Sequence, residues 1–354
     1  MRLLSTAISL LTFVFFLSCR NPAAKEIPDK GLSITFAENL ADKRIDVLVD
    51  GTLFTAYRWP ADVYKPILYP LMSAAGHAIT RGFPLEPREG ERNDHRHQVG
   101  NWLNYGHVNG YDFWGNGHEG KREPNGGEIK HLRVEKLSPG SGEALMIVHA
   151  RWVDPSGKAL LAEKTEYHFI ARDSIRIIDR IETLTASAAT PVNFKDTKEG
   201  MFGIRVARQL ELPSEEAIVL IDAQGNPATA EKISNDGVTG NYRSSEGITG
   251  NEVWGTRAKW MDLYGTIENE NISLVICDHP ENEGYPTYWH ARGYGLFAAN
   301  PFGAKDFTKG KEELNYTLPP GQSLIFRYRI LMSSGKHLTD EEINAYASDF
   351  AKKY

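Results

Sequence analysis

The sequence predicts an all-β fold in which two large antiparallel sheets pack face to face and a short helix ends the chain. Segments with strand-like alternation of apolar and polar residues recur along the sequence. Turn-forming residues are plentiful, with 32 Gly and 18 Pro among 354 residues. No helical pattern separates successive strand segments, which argues against a parallel α/β sheet and favours two packed antiparallel sheets.

The clearest strand segments alternate as strands with one face on a core do. They are residues 44–49, 144–153, 160–170, 174–184, 272–277 and 323–332. The Asp50-Gly51 pair after the first segment predicts a tight hairpin, because both residue types readily adopt the backbone conformation of a two-residue turn. No linker rich in Pro, Ser or Gly divides the middle of the chain. We therefore expect residues 31–354 to form a single β-sandwich domain.

A helix is predicted only at the end of the chain. Thr339 and Glu342 have the spacing of a capping box, with Thr339 as the N-cap and Glu342 at the third helical position. The apolar residues that follow lie three or four positions apart, as on one face of a helix: Ile343, Tyr346, Ala347 and Phe350.

The amino terminus reads as a targeting segment. Arg2 precedes a mostly apolar run that is too short to span a membrane, and residues 1–18 therefore predict a signal peptide. The run ends before Cys19 in a pattern that resembles the bacterial lipobox, which implies lipidation of Cys19. The alternative is a plain secretory signal with an incidental cysteine. Residues 19–30 are polar, lack periodicity and predict a tether.

This resemblance implies a location in the cell envelope. A lipid anchor would hold the protein on a membrane, and the outer membrane is preferred, on its periplasmic or surface side.

Composition argues against other classes of function. The 40 basic and 46 acidic side chains give a net charge of −6, so nucleic acid is not an expected partner. Two cysteines cannot form a disulfide framework.

Seven of the 11 histidines lie between His77 and His149. His95 and His97 are two residues apart, so in an extended segment both rings would share one face, with Asp94 and Arg96 on the other. Such a pair suits proton transfer on a hydroxyl-bearing substrate. It also suits binding of a divalent metal if a third ligand joins it. A polar surface loop with incidental histidines is the alternative.

Residues 101–114 combine amides, an acid and several aromatic rings. Aromatic rings stack on the apolar face of a sugar, while amides and carboxylates bind its hydroxyls. The segment therefore supplies candidate substrate-binding residues, namely Asn104, Tyr105, Asp112 and Trp114. The alternative is that these rings pack in the core and the polar residues form turns.

Two later segments supply further candidates. Asp196, Lys198 and Glu199 precede Gly200, and either carboxylate could act as a base while the lysine holds charge. A solvated charged turn is the alternative for this segment. Gly200 and Gly203 indicate tight backbone geometry where a strand begins.

In the segment 285–295, His290 and Arg292 would share one strand face. With Trp289 beside them, they predict a binding wall for an oxygen-rich ligand. The alternative is that the histidine and the arginine pair with carboxylates at the edge of the core.

Five segments together resemble a known bacterial family. They are DHRHQVGNWLNYGHVNGYDFW, FKDTKEGMFGIRVA, WGTRAKWMDLYG, YPTYWHARGYGLFAANPFG and LPPGQSLIFRYRILMSSG. Residues 47–335 look like a member of the family often labelled "methane oxygenase PmoA". A membrane methane monooxygenase subunit needs spanning helices, and no apolar run of about 18 residues follows the signal. The resemblance therefore implies a family, and the label does not describe its chemistry.

The predicted architecture is also similar to the galactose-mutarotase-like β-supersandwich. In that superfamily sugars bind in an open cleft on one sheet, and histidines with a carboxylate act as acid and base. The resemblance implies that His95 and His97 take the role of the histidine pair. Glu199, Asp196 and His290 are then the candidates for the remaining acid and base.

Three functions follow as expectations. The first is an enzyme that acts on a sugar or glycoside by epimerisation, elimination or hydrolysis, with His95, His97, Glu199 and His290 as catalytic residues. The second is a lipoprotein that binds glycans without turnover. The third is a metal-dependent enzyme in which His95 and His97 share a divalent ion with His290, His107 or Glu199, although no HExxH signature is present. No cofactor is otherwise expected.

Overall fold

Most strands of the computed structural model lie in two antiparallel sheets, one of nine strands and one of eight. The structure describes residues 31–354, and these form one compact unit. The predicted signal peptide (1–18), the tether (19–30) and the lipidation site at Cys19 lie outside the described residues.

The elements follow in chain order. The first ten strands are β1 Ser33–Asn39, β2 Arg44–Val49, β3 Thr52–Arg58, β4 Ile67–Leu71, β5 Asn101–Tyr105, β6 Glu128–Ser138, β7 Gly140–Ser141, β8 Glu143–Val153, β9 Ala159–Arg172 and β10 Ile175–Ala186. The others are β11 Val192–Phe194, β12 Gly200–Arg205, β13 Asn241–Ser244, β14 Trp260–Ile267, β15 Glu270–Asp278, β16 Tyr288–Arg292, β17 Leu296–Asn300, β18 Tyr316–Leu318 and β19 Ser323–Ser334. The helices are the single turn α1 Ala304–Phe307 and the longer α2 Asp340–Lys353, with 3-10 turns at Arg208–Leu210 and Gly250–Val253.

The strand order within each sheet shows how distant segments meet. The nine-stranded sheet has the order β16-β17-β12-β5-β4-β3-β2-β1-β7, and the eight-stranded sheet has the order β13-β14-β15-β19-β10-β9-β8-β6. A two-stranded sheet pairs β11 with β18. This order brings β5, β12 and β16 near one another, although they are far apart in the sequence.

The all-β prediction with a short C-terminal helix is confirmed. Each of the six predicted strand segments coincides with an observed strand, within two residues at either end. Asp50 and Gly51 both have positive φ, 48° and 79°, as a tight hairpin turn between β2 and β3 requires.

The main core lies between the two large sheets. Alternate side chains of the long strands β15 and β19 point into it, and the largest apolar cluster contains residues of both sheets. Phe202 of β12 stacks on Tyr328 of β19 with ring centroids 4.6 Å apart. Burial of these rings removes apolar surface from water and holds the two sheets together.

Helix α2 covers the outer face of the eight-stranded sheet. Ile343 and Phe350 on its apolar face are fully buried in a cluster that includes Trp260 and Cys277 of the sheet. The predicted capping box at Thr339 is confirmed, because both of its hydrogen bonds are formed. Within residues 31–354, every helix is too short or too polar to cross a lipid bilayer.

The outer face of the nine-stranded sheet carries a separate apolar cluster. Trp102 of β5 packs there with Trp114, Leu296 and Ala298. The loops that precede β5, precede β12 and follow β5 rise around this cluster, and they carry most of the polar residues singled out from the sequence.

Candidate functional site

A cleft with a volume of about 550 Å³ lies on this outer face. Its walls come from the loops before and after β5, the loops before and after β12, and strand β16 with the turn that follows it. The cleft is lined by eight of the residues predicted from the sequence, which are His95, His97, Asp112, Trp114, Lys198, Glu199, His290 and Arg292. The structure therefore brings together segments that are nearly 200 residues apart in the chain.

Strand alternation explains how β16 contributes to the cleft. His290 and Arg292 both line the cleft, whereas Trp289 and Ala291 belong to the core between the sheets. The Nδ1 atom of His290 lies 2.7 Å from the main-chain oxygen of Lys198. Because a carbonyl oxygen can only accept, Nδ1 donates this bond, and Nε2 of the neutral ring is an unprotonated acceptor.

Burial keeps the His290 ring neutral. The side chain is 4 % exposed. Burial lowers its pKa from the ordinary 6.5 to about 4, and this effect outweighs the nearby carboxylate of Glu199 and the bond to Lys198, which favour the charged form. His290 is therefore present as a free base at neutral pH.

The loop that carries His95 and His97 is a turn and not an extended segment. His95 has a φ of 44°, so the two rings do not owe their shared location to strand alternation. Asp94 also lines the cleft, which corrects the expectation that it points to the opposite side.

Arg81 organises this loop from below. Its buried guanidinium donates to the main-chain oxygens of Asp94 and His95 at 2.9 Å each and to that of Gln98 at 3.1 Å. It also donates to Oδ1 of Asp94 at 2.8 Å. One side chain thus satisfies several carbonyl groups that a turn leaves unpaired.

A second buried arginine holds the same carboxylate. Arg205 of β12 donates to Oδ1 of Asp94 at 2.6 Å and to the side-chain oxygen of Gln98 at 2.7 Å. Burial alone would raise the pKa of Asp94, but Arg205, the hydrogen bond with His95, and Arg81 together lower it well below its usual range. Asp94 is therefore a fixed anion that positions the loop.

His118 joins the cleft and was not predicted. Its Nδ1 lies 3.2 Å from Nδ1 of His97, so one of the two nitrogens donates and the other accepts. Burial, followed by the charges of Lys65, His95 and other neighbours, lowers the pKa of His97 well below its usual value. Among residues 31–354, no group of three or more His, Cys, Asp or Glu is arranged to hold a metal ion.

Asp112 lies at the side of the cleft in a tight turn. Its Oδ1 accepts from the main-chain N–H groups of Trp114 and Gly115, each at 2.8 Å. Burial raises its pKa, with Glu199 acting in the same direction, whereas the two N–H bonds and Lys65 oppose the rise. Asp112 is thus the carboxyl group of the cleft whose environment favours a bound proton.

Beneath the cleft lies Lys65, a second residue that the sequence did not reveal. Its ammonium donates to the main-chain oxygen of His97 at 2.6 Å and lies 5.5 Å from the Trp102 ring. Burial lowers its pKa to about 7, opposed by the charge of Asp112.

The loop before β12 supplies Lys198 and Glu199, which form an ion pair with each other. Strand β12, which follows this loop, packs closely against its neighbours, as Gly200 and Gly203 predict. A Cβ atom on Gly200 would lie 2.4 Å from the Tyr105 ring, and one on Gly203 would lie 2.6 Å from the Trp102 ring.

Asn104 and Tyr105 do not line the cleft, in contrast to the prediction. The Asn104 amide donates to the main-chain oxygen of Phe113 at 2.5 Å and is fully buried. The Tyr105 hydroxyl donates to the main-chain oxygen of Lys195 at 2.9 Å, while its ring packs between the sheets. Both side chains support the fold beneath the site.

Asp196 and Trp289 are also placed elsewhere. Asp196 accepts from the main-chain N–H groups of Lys305 and Leu314, so it closes a loop. Trp289 is fully buried and donates to the main-chain oxygen of Ala258 at 3.1 Å. Neither residue is available to a ligand in the cleft.

A second cavity of about 390 Å³ adjoins the first. Both cavities share Arg92, Glu216, Arg292 and Tyr294 in their walls, and Trp254 lines the second one. The two therefore form one groove with Arg292 at the junction.

Comparison with known proteins gives a family and a weak structural likeness. No curated protein matches the sequence. The α-galactosidase AgaB of family GH36 from Geobacillus stearothermophilus is 10% identical, with a TM-score of 0.35 over 84% of this chain and 40% of that chain. This chain thus spans about two fifths of the length of that enzyme.

Two smaller solved proteins are similar over their whole length. Slr1438 from Synechocystis sp. PCC 6803 is 11% identical, with a TM-score of 0.30 over 90% of this chain and 100% of that one. A provisionally assigned aldose 1-epimerase from Escherichia coli K12 is 11% identical, with a TM-score of 0.28 over 86% of this chain and 99% of that one.

A family model matches residues 44–348, which include every cleft residue named above. Its description gives no function and carries no methane-oxygenase designation. The chain belongs to this family, the family of unknown function DUF6807.

Proposed function

We propose that the cleft binds a sugar or glycoside and that the protein is an enzyme in which His290 acts as the general base. One observation carries this proposal. The Nδ1 atom of His290 is committed to the Lys198 carbonyl, so the ring presents an unprotonated Nε2 in a cleft of about 550 Å³. A buried neutral imidazole fixed in one tautomer is the arrangement that general-base catalysis needs.

Asp112, a carboxyl group suited to donate a proton, lines the same cleft. Burial raises the pKa of Asp112 and lowers that of His290, so each environment favours the neutral form, which is a protonated carboxyl in one case and a free imidazole in the other. Oδ1 of Asp112 accepts two main-chain bonds, so Oδ2 is the atom that can carry the proton. We assign Asp112 as the acid, with Glu199 as the second candidate.

These two groups support the reaction classes expected from the sequence. Nε2 of His290 takes a proton from a sugar hydroxyl or from a carbon next to a carbonyl, and the electron pair of that bond moves into the sugar. Asp112 donates a proton to the oxygen or carbon that receives the charge. The outcome is epimerisation or elimination, and hydrolysis requires that the base activate water instead.

Variant His290→Asn tests this assignment. The asparagine amide can still donate to the Lys198 carbonyl but cannot accept a substrate proton. With a panel of sugars, keto-sugars and oligosaccharides, turnover followed by NMR should fall at least about 100-fold, whereas affinity measured by calorimetry should change little. Wild-type-like turnover in the variant would refute the role of His290.

A glycan-binding protein without turnover is the second candidate. The partly exposed rings of Tyr294 and Trp254 in the groove walls favour it, since aromatic platforms serve sugar binding in the absence of catalysis. Saccharide binding without detectable wild-type turnover on any member of the panel would support this candidate over the enzyme.

We also propose that the protein is tethered to the cell envelope through a lipid on Cys19. The support is the lipobox-like sequence that ends the apolar run before this cysteine. Mass spectrometry of the protein from a bacterial membrane fraction should show acyl chains on the residue 19 terminus. Variant Cys19→Ser should leave the membrane fraction, and recovery of that variant in the membrane would contradict the anchor.

A further inference from the structure

We propose that the saccharide recognised by the groove is acidic and that Arg292 binds its carboxylate or sulfate group at the junction of the two cavities. The inference rests on the proposed function and names its substrate class. Three observations carry it: the state of the Arg292 guanidinium, the pairing of the other charges around it, and the second cavity.

The Arg292 guanidinium is held in place but not neutralised. Its central carbon lies 5.6 Å from the Trp254 ring centroid and 5.8 Å from the Tyr294 ring centroid. Within the described part of the chain, the guanidinium has no ion pair or hydrogen bond, and the side chain is exposed. Aromatic contacts fix the orientation of the plane while they leave its N–H donors free.

The other cations that line the groove already have anionic partners. Arg92 donates to Glu211 at 2.7 Å, and Lys198 pairs with Glu199. Among the groove residues that the structure describes, Arg292 is therefore the cation left to meet a charge from the ligand.

The second cavity indicates a ligand longer than one sugar ring. It adds about 390 Å³ to the groove, and its walls include Arg292 but not His290. The partly exposed indole of Trp254 forms part of its wall and offers apolar surface to a further sugar ring.

The chemistry of a free guanidinium selects the ligand group. Its parallel N–H donors match two oxygens of one carboxylate or one sulfate, and the paired geometry adds specificity as well as affinity. A neutral sugar offers the same donors only uncharged hydroxyl groups, whose hydrogen bonds are weaker than those of an anion. We therefore expect uronic acids or sulfated sugars in the ring that lies between the two cavities.

Calorimetry with matched oligosaccharides tests the inference. The panel holds a neutral oligosaccharide, the corresponding uronic acid polymer fragment and its sulfated form, each with the wild-type protein, Arg292→Gln and Arg151→Gln. Arg151 is exposed on the eight-stranded sheet, so its variant removes the same charge far from the groove. An acidic ligand should bind wild type and Arg151→Gln alike and Arg292→Gln about tenfold or more weakly.

The outcomes separate the inference from the function it rests on. The difference between carboxylate and sulfate ligands identifies which group Arg292 takes, and either preference supports the inference. Equal affinity for neutral and acidic ligands, or an equal loss in both arginine variants, overturns the inference and leaves saccharide binding intact. Absence of binding to every saccharide overturns both, and thermal unfolding of each variant confirms that it is folded.

Discussion

Acid conditions should destabilise this protein in a way that depends on His290. In the folded protein the pKa of this buried imidazole is about 4, against 6.5 for an ordinary histidine. As the pH falls below 6.5, the unfolded chain takes up a proton at this residue while the folded protein does not. The free energy of unfolding therefore decreases from about pH 6.5 to about pH 4 and rises again as the pH is raised.

The size of the effect follows from the pKa difference. A difference of about 2.5 between the two states, at about 1.4 kcal/mol each, corresponds to roughly 3 kcal/mol at the acid end. Because the side chain is 4 % exposed, screening by solvent reduces this figure little. A loss of that size is a large fraction of the stability of an ordinary domain.

Urea denaturation of wild type and His290→Asn across this pH range measures the effect. The variant lacks the titrating group, so from neutral pH to about pH 4 it should lose about 3 kcal/mol less than wild type does. Burial also lowers the pKa of His131 to about 4. This residue titrates in both proteins, so its contribution to the free energy of unfolding cancels in the comparison. Parallel curves for the two proteins would refute the burial of a neutral His290.

Three further predictions concern the scaffold. Arg81→Met removes the guanidinium that holds the His95 loop, so urea denaturation should show a loss of about 3–5 kcal/mol, and an unchanged midpoint would contradict that role. Thr339→Ala deletes the N-cap of α2 and should cost about 1 kcal/mol in the same assay, whereas no loss would mean that the capping box is dispensable. Phe350→Ala empties a fully buried site and should cost about 3–5 kcal/mol, which a shift in thermal midpoint of only a degree or two would disprove.

Local patterns in the sequence predicted the fold well. Alternation identifies a strand because it depends only on neighbouring residues, and β2 begins and ends at the predicted residues 44 and 49. The capping box at Thr339 is likewise a local signal. The same rule placed His290 and Arg292 on one face of β16, and both line the cleft.

The site was only partly predictable, because much of it depends on contacts between distant segments. Arg81 and Arg205 organise the histidine loop, yet a buried arginine has no distinctive neighbours in the sequence. His118 meets His97 through a loop that carries no periodic pattern. A polar residue in a candidate segment can also stabilise the fold, as Asn104 does by donating a hydrogen bond to the main-chain oxygen of Phe113.

The central claim is that a sugar binds in the groove beside the free Nε2 of His290. A crystal structure of the protein soaked with neutral and acidic oligosaccharides tests it most directly. The account predicts a ligand oxygen or carbon within about 3.5 Å of Nε2 and an anionic group on Arg292. A saccharide bound elsewhere on the protein, or bound in the groove with its sugar ring out of reach of His290, would contradict it.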